Sequence, residues 1–185
     1  MSQTANTPYG PVPQAALDAA RRIRLLICDV DGVLSDGKIY LGNNGEELKS
    51  FHTKDGFGLK AVMAQGVEVA VITGRSSRIV SDRMLSLGVR HVYQGQGDKL
   101  PVYQQLLQKL DLTADQVAYI GDDVIDLPVM RACGLGVAVA DAHPLVQQGA
   151  NFLCRLKGGE GAVRELCDLI LQALGALESA QGPSI

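Results

Sequence analysis

The sequence predicts an α/β fold, a parallel sheet with helices on both faces, on three observations. Short apolar runs recur along the chain, many of them ending in turns rich in glycine or aspartate. Segments of helical length separate them, the alternation that gives parallel strands joined by crossover helices. One such segment carries Val102, Leu106 and Leu110 at i, i+4 and i+8, a stripe that fits a helix. With 185 residues, 46% of them hydrophobic, the chain has the size of one domain and the means to bury a core. Three Phe, five Tyr and no Trp make that core mainly aliphatic.

The elements follow in order. Residues 1–20 are polar and carry Pro8, Pro11 and Pro13, so they read as a disordered or helical arm ahead of a single domain over residues 21–185. Arg24 to Cys28 (RLLIC) is a buried strand feeding Asp29-Val30-Asp31-Gly32. Residues 38–52 form a small hairpin flap around Asn43-Asn44-Gly45, which supplies the positive φ of a hairpin turn. Helices near 56–65, 77–87, 98–110 and 124–132 then alternate with strands at 67–72, 91–93, 117–120 and 136–140. Asp141 is placed to cap a short helix, residues 151–154 give a last strand, and residues 162–177 give the terminal helix.

Composition excludes some functions. A net charge of −3 with no dominant basic stripe argues against a nucleic-acid or anionic-membrane partner. No apolar run approaches the roughly 20 residues that span a bilayer, and the start of the chain lacks a secretion signal. Cys28, Cys133, Cys154 and Cys167 form no C-x-x-C pair and read as reduced core residues, which points to a cytoplasmic protein.

In an open parallel sheet, ligands sit beyond the carboxyl ends of the strands. Those ends carry Asp29 and Asp31, Thr73-Gly74-Arg75, and Gly121-Asp122-Asp123 with Asp126 one turn on. If the strands are neighbours, five carboxylates gather at one edge, where they repel unless a cation neutralises them. Oxygen donors without His or Cys suit Mg²⁺, which also favours a phosphate ligand. Lys99 and Arg75 stand near helix starts, where a bound anion resolves their conflict with the helix dipole. A carboxylate can accept a phosphoryl group and form an acyl phosphate, and an acid two residues on lies on the same side of the extended chain. It can protonate the leaving alkoxide and then activate water.

These motifs, in this order, resemble the haloacid-dehalogenase superfamily of phosphatases. Longer runs (DVDGVLSDGKIYLGNNGEELKSFHTKDGFGLK, TGRSSRIV, GDDVIDLPVM, VAVADAHP and GGEGAVRELCDLIL) resemble its branch acting on an eight-carbon sugar-acid phosphate of bacterial lipopolysaccharide synthesis. That likeness covers residues 24–185 and leaves the N-terminal arm outside. It implies a Rossmann-like core without a large cap domain, the hairpin flap, and a homotetramer whose flap closes a neighbour's site. It implies Asp29 as nucleophile, Asp31 as general acid/base, and Thr73, the Gly74 backbone and Lys99 on the phosphate. Mg²⁺ would be held by Asp29, the Asp31 carbonyl and Asp122, with Asp123 and Asp126 supporting. The sugar acid would meet His52, Thr53, Lys54, Asp55, Gly56, Lys60, Arg75 and Arg83. A nine-carbon, sialic-acid-type phosphate remains an alternative substrate. A phospho-aspartate receiver uses similar groups as a switch, but there, as in the receiver family generally, the acidic pair follows the first strand and the phosphorylated Asp the third.

Overall fold

The computed structural model describes residues 3–180. Its first element departs from expectation, since the expected arm forms an antiparallel hairpin, β1 (Thr4–Thr7) and β2 (Gly10–Pro13), followed by α1 (Gln14–Ala20). Contacts far along the chain order it. The Tyr9 hydroxyl donates to Asp168 at 2.8 Å, Gln172 donates to the Asn6 carbonyl at 2.7 Å, and Val12, Ala16, Ala19 and Ala20 enter the core. Polar local composition hid these partners.

The chain then enters the central sheet with β3 (Leu25–Cys28) and leaves it for the flap, β4 (Tyr40–Leu41) and β5 (Glu47–Leu48). Gly45 turns the flap at φ 86°. The alternation continues through α2 (Thr53–Ala64), β6 (Glu68–Ile72), α3 (Arg78–Leu87), β7 (His91–Tyr93), α4 (Leu100–Leu110) and β8 (Val117–Gly121). It closes with α5 (Leu127–Ala132), β9 (Leu135–Ala138), α6 (Pro144–Gly149), β10 (Phe152–Leu153) and α7 (Ala162–Ala173).

Six strands form one sheet in the order β10-β9-β8-β3-β6-β7, every pair parallel. All four residues of β3 are fully buried, as a strand covered on both faces requires. Helix α7 packs on α2 and α1, while α5 packs on α4 and α6. The stripe expected on α4 faces inward, with Val102 and Leu106 buried and Leu110 half-buried against the core.

Some boundaries differ for identifiable reasons. The helix expected over 124–132 begins as a 3-10 turn, Val124–Asp126, because the Asp126 carboxylate folds back to accept from the Asp122 and Asp123 amides. His143, not Asp141, caps α6, its Nδ1 accepting from the Leu145 amide at 3.2 Å. Asp141 instead accepts from the Gly158 amide at 3.0 Å. That bond helps seat Gly158 against the turn after β3, where a Cβ on it would lie 1.7 Å from the Gly32 carbonyl oxygen. All four cysteines are free, three of them buried.

Candidate active site

Register builds the site. Cys28 of β3 lies opposite Val71 of β6 and Ile120 of β8, so the three strands end level and their following residues emerge together. The Asp29 amide continues the ladder by donating to the Ile120 carbonyl at 3.1 Å. The resulting cleft, about 320 Å³, is lined by Asp29, Asp31, Gly37, Ile39, Thr73, Gly74, Arg75, Lys99, Asp122, Asp123 and Ile125. Every residue expected to act on the phosphoryl group is therefore at one place.

Lys99 organises the floor. Its Nζ lies 2.8 Å from Asp29 Oδ2, 2.7 Å from Asp126 Oδ1 and 3.1 Å from the Tyr119 hydroxyl, with the side chain only 1% exposed. Burial pulls the lysine pKa down, but Asp29 and Asp126 outweigh it and leave the ammonium more basic than usual. Asp126 is fully buried and accepts from Lys99, Tyr119 and two backbone amides, so it supports the site from behind. Tyr119 had given no sign of this role, except as the one aromatic residue in an aliphatic strand.

The carboxylates repel, as their sequence positions imply. Burial, and then Asp126, push the Asp29 carboxyl up to about 6, against the pull of Lys99. Burial, and then Asp29 and Asp126, push Asp122 up to about 7. Oxygens of Asp29, Asp122 and Asp126 lie within 4.8 Å of one another. Three oxygen donors this close, with no His or Cys among them, fit a hard divalent cation. Asp126, already engaged by four donors, is the supporting member. Gly32 makes room for the set: it turns at φ 85°, and a Cβ there would meet Asp122 Oδ2 at 2.1 Å.

Asp31 lies on the flap side of the cleft. Its Oδ1 pairs with Lys49 and its Oδ2 lies 4.0 Å from Arg75 Nε. Lys49 escaped sequence reasoning because a lysine in a small hairpin ordinarily reads as a solvated charge. Thr73 is 2% exposed at the end of β6, and its amide donates to the Tyr93 carbonyl at 3.0 Å. Asp123 is exposed and caps the turn that follows it, accepting from the Val124 amide.

The expected sugar contacts divide. Gly74 and Arg75 line the cleft, whereas His52, Thr53, Lys54, Asp55, Gly56, Lys60 and Arg83 are not among its lining residues. His52 caps α2, its Nδ1 accepting from the Lys54 amide at 3.1 Å. Gly56 faces the Arg83 guanidinium, which a Cβ would meet at 2.6 Å. Asp55 is the clearest departure: it is 1% exposed and accepts from the Arg164 amide of α7 at 2.8 Å, a structural link between helices.

A D-x-D turn after the central strand, with a buried lysine and a second acidic turn beside it, defines the haloacid dehalogenase-like hydrolases. A family model of that description matches residues 88–166. The chain belongs to the 3-deoxy-D-manno-octulosonate 8-phosphate phosphatase family, being 56% identical to KdsC of Yersinia pestis with 100% of each chain covered. The crystal structure of that phosphatase from Yersinia pestis matches this fold with a TM-score of 0.98 and 55% identity, covering 100% of both chains. The Moraxella catarrhalis phosphatase, solved with a magnesium ion, a phosphate ion and a KDO molecule, matches with a TM-score of 0.87 and 41% identity over 89% of this chain and 94% of that one. The likeness to Yersinia extends across residues 1–20, which the motifs alone had left outside.

Proposed function

We propose that this protein is a Mg²⁺-dependent phosphatase that hydrolyses 3-deoxy-D-manno-octulosonate 8-phosphate to the free sugar acid and phosphate, in lipopolysaccharide synthesis in the cytoplasm. The observation that carries the reading is the single Lys99 ammonium joining Asp29 to Asp126 beneath a cleft edged by Thr73 and Asp122. Asp29 attacks phosphorus as the ester P–O bond breaks, leaving an aspartyl-phosphate, and Asp31 gives its proton to the departing alkoxide. Asp31 then takes a proton from the water that cleaves the acyl phosphate. Thr73, the Gly74 amide and Lys99 hold the phosphoryl oxygens, and Lys99 keeps the Asp29 carboxyl from rising further. Bound through Asp29, the Asp31 carbonyl and Asp122, Mg²⁺ supplies positive charge against the transferring group.

Among the described residues no helix is long and apolar enough to cross a membrane. The flap is too small to bury itself, and Ile39, Tyr40, Leu41 and Leu48 on it are exposed, Leu41 by 74%. We infer a homotetramer in which this face meets a neighbour. The start of α2 with Lys54, Lys60 and Arg83 would then serve the sugar acid across the interface.

The test is phosphate release from a panel of sugar phosphates with Mg²⁺, with and without chelator, beside Asp29→Asn. Release from the octulosonate ester that is lost with chelator and in the variant supports the reading. Preference for a nine-carbon acid phosphate overturns the substrate and keeps the chemistry, and no release from any ester overturns both.

A further inference from the structure

We propose that Lys49 is a positioning residue for Asp31, carried to it by the flap, so that the general acid is set only when the flap is seated. The inference rests on the phosphatase reading above and deepens it. Four charges form a closed ring. Lys49 Nζ pairs with Asp31 Oδ1 and lies 3.3 Å from Glu47 Oε1. Glu47 Oε2 lies 3.2 Å from Arg75 Nη2, and Arg75 Nε lies 4.0 Å from Asp31 Oδ2. The ring thus joins the turn after β3, the flap strand β5 and the loop after β6.

Burial argues that the ring is more than a surface network. The Lys49 side chain is 1% exposed, although its neighbour Leu48 is 64% exposed and Leu41, opposite Glu47 in the flap, is 74% exposed. A lysine loses considerable rotamer freedom when it is immobilised and resists leaving water, so surface solubility does not explain its placement. Cations address both oxygens of Asp31, Lys49 at Oδ1 and Arg75 at Oδ2. That fixes the carboxyl's rotation at the cleft, and rotation decides which oxygen faces the leaving group. Glu47 begins β5 and Lys49 directly follows that strand, so lifting the flap removes Lys49 from Asp31 and Glu47 from Arg75 in one motion. Lys49 itself neither gives nor takes the catalytic proton. The proton passes from Asp31 to the alkoxide as before.

The test uses the full chain with Mg²⁺ and compares kcat/KM for the octulosonate 8-phosphate ester with that for p-nitrophenyl phosphate, whose leaving group departs without a proton. Misplacing a catalytic group by about 1 Å can cost on the order of 100-fold. Lys49→Met is expected to lose about that much on the alkyl ester and under about tenfold on the nitrophenyl ester. Lys49→Arg should recover most of the loss, and Lys49→Met should add little to Asp31→Asn. Thermal unfolding of each variant checks that the protein is folded. Equal losses on both esters, an undiminished loss in the Asp31→Asn background, or no loss at all would overturn the proposal. Wild-type protein that releases phosphate from neither ester would instead sink the phosphatase reading, and this one with it.

Discussion

Lys99 Nζ lies 2.7 Å from Asp126 Oδ1, an ion pair closed off from water, with side-chain exposures of 1% and 0%. The same ammonium reaches Asp29 at 2.8 Å, so one cation compensates two buried acids. Removing one partner of a buried pair commonly costs about 3–5 kcal/mol, because a charge is left uncompensated. Lys99→Met should therefore lose stability on that order at pH 7.5, along with phosphate release. The loss should shrink on acidification, as the Asp29 carboxyl, held at about 6, becomes neutral. Urea unfolding at pH 5 and pH 7.5 checks this, and an equal loss at both values would contradict the pairing.

Metal affinity should depend on pH. Burial and mutual repulsion hold Asp29 at about 6 and Asp122 at about 7, and a bound cation requires both ionised. Mg²⁺ should bind more weakly as pH falls through 7 and then 6, and binding at pH 7 should release protons. Titration calorimetry in buffers of different ionisation enthalpy measures that release. Affinity unchanged from pH 8 to pH 5.5 would count against this metal site.

Asp55 should make its own contribution to acid stability. Burial is the main cause raising its carboxyl to about 6, partly offset by the Arg164 amide. A raised folded-state pKa gives stability that is full below the unfolded value near 4 and is lost as pH rises through about 6. The change is on the order of 3 kcal/mol. Asp55→Asn keeps the acceptor for Arg164 and should flatten the dependence between pH 4 and pH 7. Measuring the variant's unfolding free energy across that range tests it, and an unchanged slope would assign the dependence elsewhere.

Gly158→Ala should damage the site from outside the cleft. The new Cβ would lie 1.7 Å from the Gly32 carbonyl oxygen, a contact of backbone with little room to yield. Overpacking of this kind costs about 1–3 kcal/mol. The displaced turn carries Asp31, so kcat should fall as well. A variant with wild-type melting temperature and wild-type kcat would show that the loop adapts.

Much of the site was readable before the fold, for a physical reason. Asp29, Asp31, Thr73, Asp122 and Lys99 each follow a strand or precede a helix, and parallel pairing brings such positions together whatever lies between them. Asp126 was read as support, and its four hydrogen bonds show what it supports. Lys49 and Tyr119 were not readable, because each depends on a partner 18 or 20 residues away. The hairpin of β1 and β2 was hidden likewise, its anchor Asp168 standing 159 residues from Tyr9. Asp55 was expected to meet the sugar acid only through the family resemblance, and the packing of α7 on α2 engages it with the Arg164 amide.

The pairing of Cys28 with Ile120 has a consequence for how preparations of the protein are judged. A slip of one residue between β3 and β8 would turn the outgoing side chains to the opposite face and set Gly121 where Asp122 belongs. Such a molecule could keep its helices and much of its compactness. Cation titration therefore counts correctly threaded molecules, which circular dichroism cannot do, and its stoichiometry is a direct assay of refolding fidelity.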